Sequence, residues 1–260
     1  MHCWICDNKV SSFAAYGIPP RMGKCPHCGA KPRGRLLGWL LKEVLCPRLP
    51  DTARILEVGA SRFSVARLLD PRIIGRNRCA IIDVRILGFH QRVPFPHGFV
   101  QMDVASMGFC ERSFDLILCN NTLPYVLRDR DALGEIRRCL KPQGLAMINT
   151  HVESGVTVPV SEHRKTHPDL GDDYYAENGD RWVYGEDFFN RVSEAGLGYR
   201  MLRLFEGRSP DYFRENGLKP RSECLLAFTD PAALDRCVHP DVRVARAIGT
   251  ASAGRQQSRA

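Results

Sequence analysis

Ile55-Leu56-Glu57-Val58-Gly59-Ala60-Ser61-Arg62-Phe63 reads as a short apolar strand that ends in a tight turn and opens a helix. Glycine at 59 permits the turn conformation and leaves room for a ligand to approach the backbone. Outward from this stretch, short apolar runs alternate with helical ones, the pattern of βαβ units around a parallel sheet. Strands are expected at 54–58, 79–84, 99–102, 114–119, 145–150, 199–205 and 223–229, and helices at 64–69, 131–140 and 186–195. Strands buried on both faces should be continuously apolar, and Ala80-Ile81-Ile82 and Leu116-Ile117-Leu118-Cys119 are. The fold class is therefore α/β, with helices on both faces of the sheet.

The chain has 260 residues, 44% of them hydrophobic, enough for one α/β domain and a small appendage. No apolar run reaches the ~18 residues of a membrane span, and Met1 leads into cysteines instead of an apolar signal core. A soluble, cytoplasmic protein with no membrane partner is expected. The net charge of +8 is spread unevenly. Residues 1–50 carry 8 basic and 2 acidic side chains, whereas 151–230 carry 10 and 15, so the basicity is diffuse and the segment most apt to cover a substrate is acidic.

Carboxylates follow the glycine turn in order. Asp83 ends the second expected strand, 24 residues beyond Gly59, where it can accept two hydrogen bonds from ribose hydroxyls. Asp103, in Met102-Asp103-Val104, closes the third, and the run 113–123 with Asn120-Asn121 closes the fourth. Leu140-Lys141-Pro142-Gln143-Gly144 then precedes the fifth. Taken singly, a carboxylate at a strand end is more often a helix cap or a solvated group. The ordered series from 54 to 150 resembles class I S-adenosylmethionine-dependent methyltransferases. That resemblance implies a Rossmann-like seven-stranded sheet, S-adenosyl-L-methionine as cofactor, and a binding site at Glu57, Gly59, Ala60, Ser61, Asp83, Asp103, Val104 and Asn120. Ser61 and Phe63 stand where the family places further glycines. An NAD-type site competes, but a dinucleotide pyrophosphate needs closer backbone approach than Ala60, Ser61 and Phe63 allow.

Cys3-x-x-Cys6 and Cys25-x-x-Cys28 have the spacing of a four-thiolate zinc site, each pair supplying two sulfurs from one turn. Four protein sulfurs leave no open position, so the Zn2+ expected here is structural. A redox CxxC is the alternative, though such motifs usually open a helix in a thioredoxin-like fold. The chain then divides into a zinc-ribbon-like module at 1–35, a linking amphipathic helix at 36–50, a methyltransferase domain at 51–230 and a partly disordered extension at 231–260. The module, followed later by Arg181-Trp182-Val183-Tyr184-Gly185-Glu186-Asp187-Phe188, is similar to a group of bacterial methyltransferases with zinc-ribbon-like N-termini.

Residues 151–185 are too long for an ordinary connection and read as a lid or substrate insertion. Candidate bases beyond the sheet are His151, Tyr125 and Tyr184, with His163 a further one. A small-molecule or glycan acceptor, methylated on oxygen or nitrogen, fits the acidic insertion. The alternative is RNA, its phosphates tracked by Lys9, Arg21, Lys24, Lys31, Arg33 and Arg35 and its bases stacked on Trp4, Phe13 and Tyr16. A third reading is a methyltransferase-like binding protein without catalysis, and the oligomeric state is left open.

Overall fold

A computed structural model describes residues 1–16, 21–59, 78–84, 98–170, 179, 181–203, 209–218 and 223–238. Seven strands form one mixed sheet: β3 (Arg54–Val58), β4 (Arg78–Asp83), β5 (Gly98–Gln101), β6 (Phe114–Asn120), β7 (Leu140–Asn149), β10 (Gly198–Arg203) and β11 (Glu223–Phe228). Their order is β10-β11-β7-β6-β3-β4-β5. Neighbours among β3 to β7 run parallel, and β11 lies antiparallel between β7 and β10. All seven expected strands are present. β7 starts five residues earlier than expected, because Leu140 pairs with Phe114 across a register shift before the regular ladder begins at Leu145. The helix expected at 64–69 lies outside the described residues.

Alternation along β6 shows how the sheet divides the core. Leu116 and Leu118 belong to one cluster, whereas Ile117 and Cys119 belong to the other, as expected where successive side chains point to opposite faces. The second cluster is covered by α2 (Asp129–Cys139), through Ala132, Leu133 and Ile136, and by α4 (Phe188–Glu194), through Phe188 and Val192.

The first cluster is covered by α1 (Pro32–Trp39), which runs into a π-helical turn at Leu40–Leu45 and a 3-10 turn at Cys46–Arg48. The sequence suggests a linking helix here, stopped by Pro47. The structure gives it a larger role: Leu40, Leu41, Val44 and Leu45 are all buried in one cluster with Ile55, Leu116 and Leu145. Proline also opens it, because Pro32 at the first position loses no intrahelical bond. The segment expected as an extension likewise contributes α6 (Ala232–Cys237), whose Ala233 and Cys237 join the same cluster.

The N-terminal module holds the antiparallel pair β1 (Ala14–Tyr16) and β2 (Arg21–Lys24) and a small core of Cys3, Ile5, Val10, Phe13, Cys25 and Ala30. It docks on α5 (Pro210–Asn216) and the turn that ends it. The His2 amide donates to the Glu215 carbonyl (2.6 Å), and Trp4 Nε1 donates to Asn216 Oδ1 (2.9 Å).

Arg35 closes this joint and corrects its assignment to a phosphate-tracking surface, for it is 0% exposed. Its guanidinium donates to the Ala30 carbonyl (2.6 Å) on one side and twice to the Gly217 carbonyl (3.0 and 2.6 Å) on the other, and it stacks 3.8 Å from the Phe13 ring centroid. Gly217 is left-handed (φ 56°), and a Cβ there would lie 2.1 Å from Phe13 Cε2, so only glycine admits this contact.

Replacing Arg35 by alanine strands buried carbonyls and opens a cavity. Arg35→Ala is expected to lower stability by about 2–5 kcal/mol, or roughly 5–15 °C in Tm by calorimetry. Lysine, which lacks the two-sided fork, should rescue little.

Candidate functional site at the carboxyl edge of the sheet

In open α/β sheets ligands bind beyond the carboxyl ends of the parallel strands. Val58 pairs with Ile82 and Asp83 with Gln101, so Gly59, Asp83 and Asp103 all leave the sheet at that edge from three adjacent strands. The Gly59 amide donates to the Ile82 carbonyl (2.9 Å). Gly59 is left-handed (φ 77°), and a Cβ on it would lie 2.0 Å from Thr122 Oγ1. Thr122 in turn donates from Oγ1 to the Val58 carbonyl (3.0 Å), tying the end of β3 to the loop after β6. Ala60 and Ser61 lie outside the described residues.

Glu57 is buried within β3, and Asp83 is half-buried at the end of β4. Asp103 caps its own turn through Oδ1, which accepts from the Ala105 amide (2.8 Å), while Oδ2 faces Arg128 at 3.4 Å. The Val104 side chain is committed to the core. Asn120 Oδ1 accepts from Asn149 Nδ2 (3.1 Å) and Asn121 Nδ2 (3.2 Å), which joins the ends of β6 and β7. Sequence reasoning did not single out Thr122, Arg128 or Asn149. Only Asn149 carried a signal, as a polar residue ending an apolar run beside another.

The candidate bases separate in space. Tyr184 is 1% exposed, its hydroxyl 3.1 Å from Asp129 Oδ2 and 3.2 Å from the Leu123 carbonyl. Burial, reinforced by the Asp129 carboxylate, pushes its phenol far above the usual range. A phenol held so firmly in its neutral form ties the loop after β6 to the core and is a poor proton acceptor. Tyr125 is half-buried in a 3-10 turn (Leu123–Tyr125) of that loop. His151 is 78% exposed just past β7, with Nε2 3.5 Å from Glu153 Oε1.

The described residues of 151–185 form a strap beside this edge. β8 (Val158–Pro159) pairs with β9 (Trp182–Val183), and α3 (Val160–Thr166) follows β8. The Arg181 amide donates to Pro124 (2.6 Å) and Trp182 Nε1 to Val126 (2.9 Å), so the strap is fastened to the loop after β6. Residues 171–178 and 180 lie outside the described part.

In the N-terminal module, each cysteine pair closes a turn, with the Asp7 amide donating to the Cys3 carbonyl (2.8 Å) and Gly29 to Cys25 (2.9 Å). The four Sγ atoms lie within 4.8 Å of one another, Cys3 to Cys28 at 3.7 Å and Cys6 to Cys25 at 3.8 Å. A tetrahedral ion with Zn–S bonds of about 2.3 Å sets its sulfurs about 3.8 Å apart, so the cluster fits that metal. Burial pushes the Cys3 thiol up to about 11. At Cys25 the same desolvation is outweighed by the backbone amides of Cys28 and His27, and the thiol falls to about 7.

Residues 57–148 match a family profile described as a methyltransferase domain. No curated protein matches the chain significantly. Among similar solved structures is the 1,6-didemethyltoxoflavin-N1-methyltransferase of Burkholderia thailandensis, with bound 1,6-didemethyltoxoflavin and S-adenosylhomocysteine. It is 18% identical, with 75% of this chain and 76% of that one covered and a TM-score of 0.47. An S-adenosylmethionine dependent methyltransferase from Mesorhizobium loti is 15% identical, covering 70% and 94%, at a TM-score of 0.49. The [4+2]-cyclase SpnF is 18% identical at a TM-score of 0.45; the match covers 64% of this chain and spans only 57% of SpnF.

Gly59→Ala forces both a strained backbone and a collision with Thr122. It is expected to cost about 1–3 kcal/mol and to weaken S-adenosylhomocysteine binding at least tenfold, read by thermal unfolding and isothermal titration.

Proposed function

We propose that the chain is a class I S-adenosylmethionine-dependent methyltransferase, in keeping with the methyltransferase-domain profile that residues 57–148 match, and that it methylates a small-molecule or sugar acceptor at the carboxyl edge of its sheet. One observation carries this reading: Gly59, Asp83 and Asp103 leave three adjacent strands at the same edge. There Asp83 would accept from the ribose hydroxyls, and the Gly59 turn would pass close to the cofactor's amino acid portion. Asp103 and the Val104 backbone would flank the adenine, with Glu57, Ala60, Ser61 and Asn120 shaping the rest of the wall. S-adenosylmethionine, when bound, supplies an electrophilic methyl group on a sulfonium centre.

The protein's own task is then to hold the acceptor in line and to exclude water. The described part of 151–185, fastened to the loop after β6, supports an acceptor of modest size over an extended polymer. His151, exposed just past β7, is the proposed proton acceptor for an oxygen nucleophile. Tyr125, in the loop after β6, would contact the acceptor. A nitrogen acceptor that is already neutral would need neither.

RNA is the less favoured acceptor. Arg35 is spent inside the fold, Phe13 lies beneath it, and the Trp4 indole is engaged by Asn216. The cysteine module we read as a structural Zn2+ site, its four thiolates leaving no coordination position for substrate. Cysteines without disulfides suit a reducing compartment, in keeping with a cytoplasmic protein.

Asp83→Ala removes a charge-assisted bidentate contact of roughly 1.5–3 kcal/mol and should weaken S-adenosylmethionine at least tenfold by calorimetric titration. An unchanged dissociation constant removes Asp83 from the site, and a heatless titration of the wild type leaves only a binding fold without its cofactor. For the metal, elemental analysis should find one zinc per chain. Stripping it with a chelator should lower Tm by several degrees, and Cys25→Ser should reproduce the loss; full stability without metal contradicts the assignment.

A further inference from the structure

Beyond the proposed cofactor site, three ionisable side chains, His151, Glu153 and His163, meet just past the end of β7. We propose that Glu153 is a positioning residue for His151, holding its imidazole to take the proton of a hydroxyl acceptor, which makes the chain an O-methylating enzyme. This rests on the reading of the carboxyl edge given above.

His151 lies two residues beyond Asn149, whose side chain is bonded to Asn120 at the end of β6, so the imidazole emerges beside the proposed cofactor wall. Glu153 is carried on fixed backbone. Its amide donates to the Tyr184 carbonyl (2.8 Å), and Val152 bridges to the same buried tyrosine. Its two oxygens face two histidines: Oε1 is 3.5 Å from His151 Nε2, and Oε2 is 3.6 Å from His163 Nε2.

The two histidines differ in freedom. His163 is buried on α3 and stacked on His167, their ring centroids 4.2 Å apart and 11° from parallel, so it backs the carboxylate from the strap. His151 is exposed. A carboxylate beside Nε2 favours the proton there and leaves the Nδ1 lone pair for a substrate. The 3.5 Å separation is longer than a hydrogen bond, as such contacts often are before substrate closes them.

The Thr150 hydroxyl, between Asn149 and His151 in the chain, is buried with no hydrogen-bond partner among the described residues. In the transfer, the acceptor's O–H proton passes to His151 Nδ1, its oxygen bonds the methyl carbon, and the pair from the broken carbon–sulfur bond stays on sulfur. The imidazolium so formed is balanced by Glu153.

The test is an imidazole 1H–15N spectrum of the full-length protein saturated with S-adenosylhomocysteine, compared for wild type, Glu153→Ala and Glu153→Asp. The proposal expects a protected His151 Nε2–H resonance in the wild type, lost in Glu153→Ala and partly restored in Glu153→Asp. It also expects S-adenosylhomocysteine affinity to stay within twofold in all three. A His151 resonance that is absent from the wild type, or unaltered by removing Glu153, overturns the positioning role while leaving the cofactor site intact. Failure of the wild type to bind S-adenosylhomocysteine instead removes the site beneath it, and this inference falls with it.

Discussion

Gly59 is held tightly where β3 ends. Its positive φ, the hydrogen bond from its N–H to the Ile82 carbonyl and the Thr122 hydroxyl pressed where a Cβ would stand together fix how β3 ends and how closely the loop after β6 can follow. Everything proposed for the carboxyl edge takes its position from that interlock. The asparagine junction between β6 and β7 continues it sideways, and His151 and Glu153 continue it outward into the strap. The same loop after β6 is bonded to Arg181 and Trp182, which ties the strap to the end of β6.

A second joint lies between the cysteine module and α5, remote in sequence from the first. Arg35 reaches 182 residues along the chain to the Gly217 carbonyl, and its charge is held among carbonyl dipoles and the Phe13 ring. The proposed metal would brace the turn that carries Ala30, one of the carbonyls Arg35 grips. The module thereby helps hold the connection between β10 and β11 as well as its own small core.

Period and spacing made the sheet legible. Continuous apolar runs such as Ile81-Ile82 and Leu116-Ile117-Leu118 have no stable placement except between two layers, so the strands could be read directly. The paired cysteines were equally legible, since two sulfurs per turn at that spacing have few other uses. What sequence could not show was commitment. Arg35 looks like any surface arginine until the fold brings Gly217 to it. Tyr184 looks like a candidate base until the core closes over its hydroxyl, and the pairing of Glu153 with two histidines depends on how the strap folds back. The helix from Pro32 was read as a link because amphipathicity reveals a buried stripe but not the layer against which it is buried.

The central claim is that an adenosine-bearing cofactor sits where Gly59, Asp83 and Asp103 converge. A crystal structure of the full chain with S-adenosylhomocysteine tests it most directly. The account predicts ribose hydroxyls on the Asp83 carboxylate, the adenine beside Asp103 and the amino acid end over the Gly59 turn. A nucleoside bound at the opposite edge of the sheet, or with Asp83 facing away from it, would contradict the account.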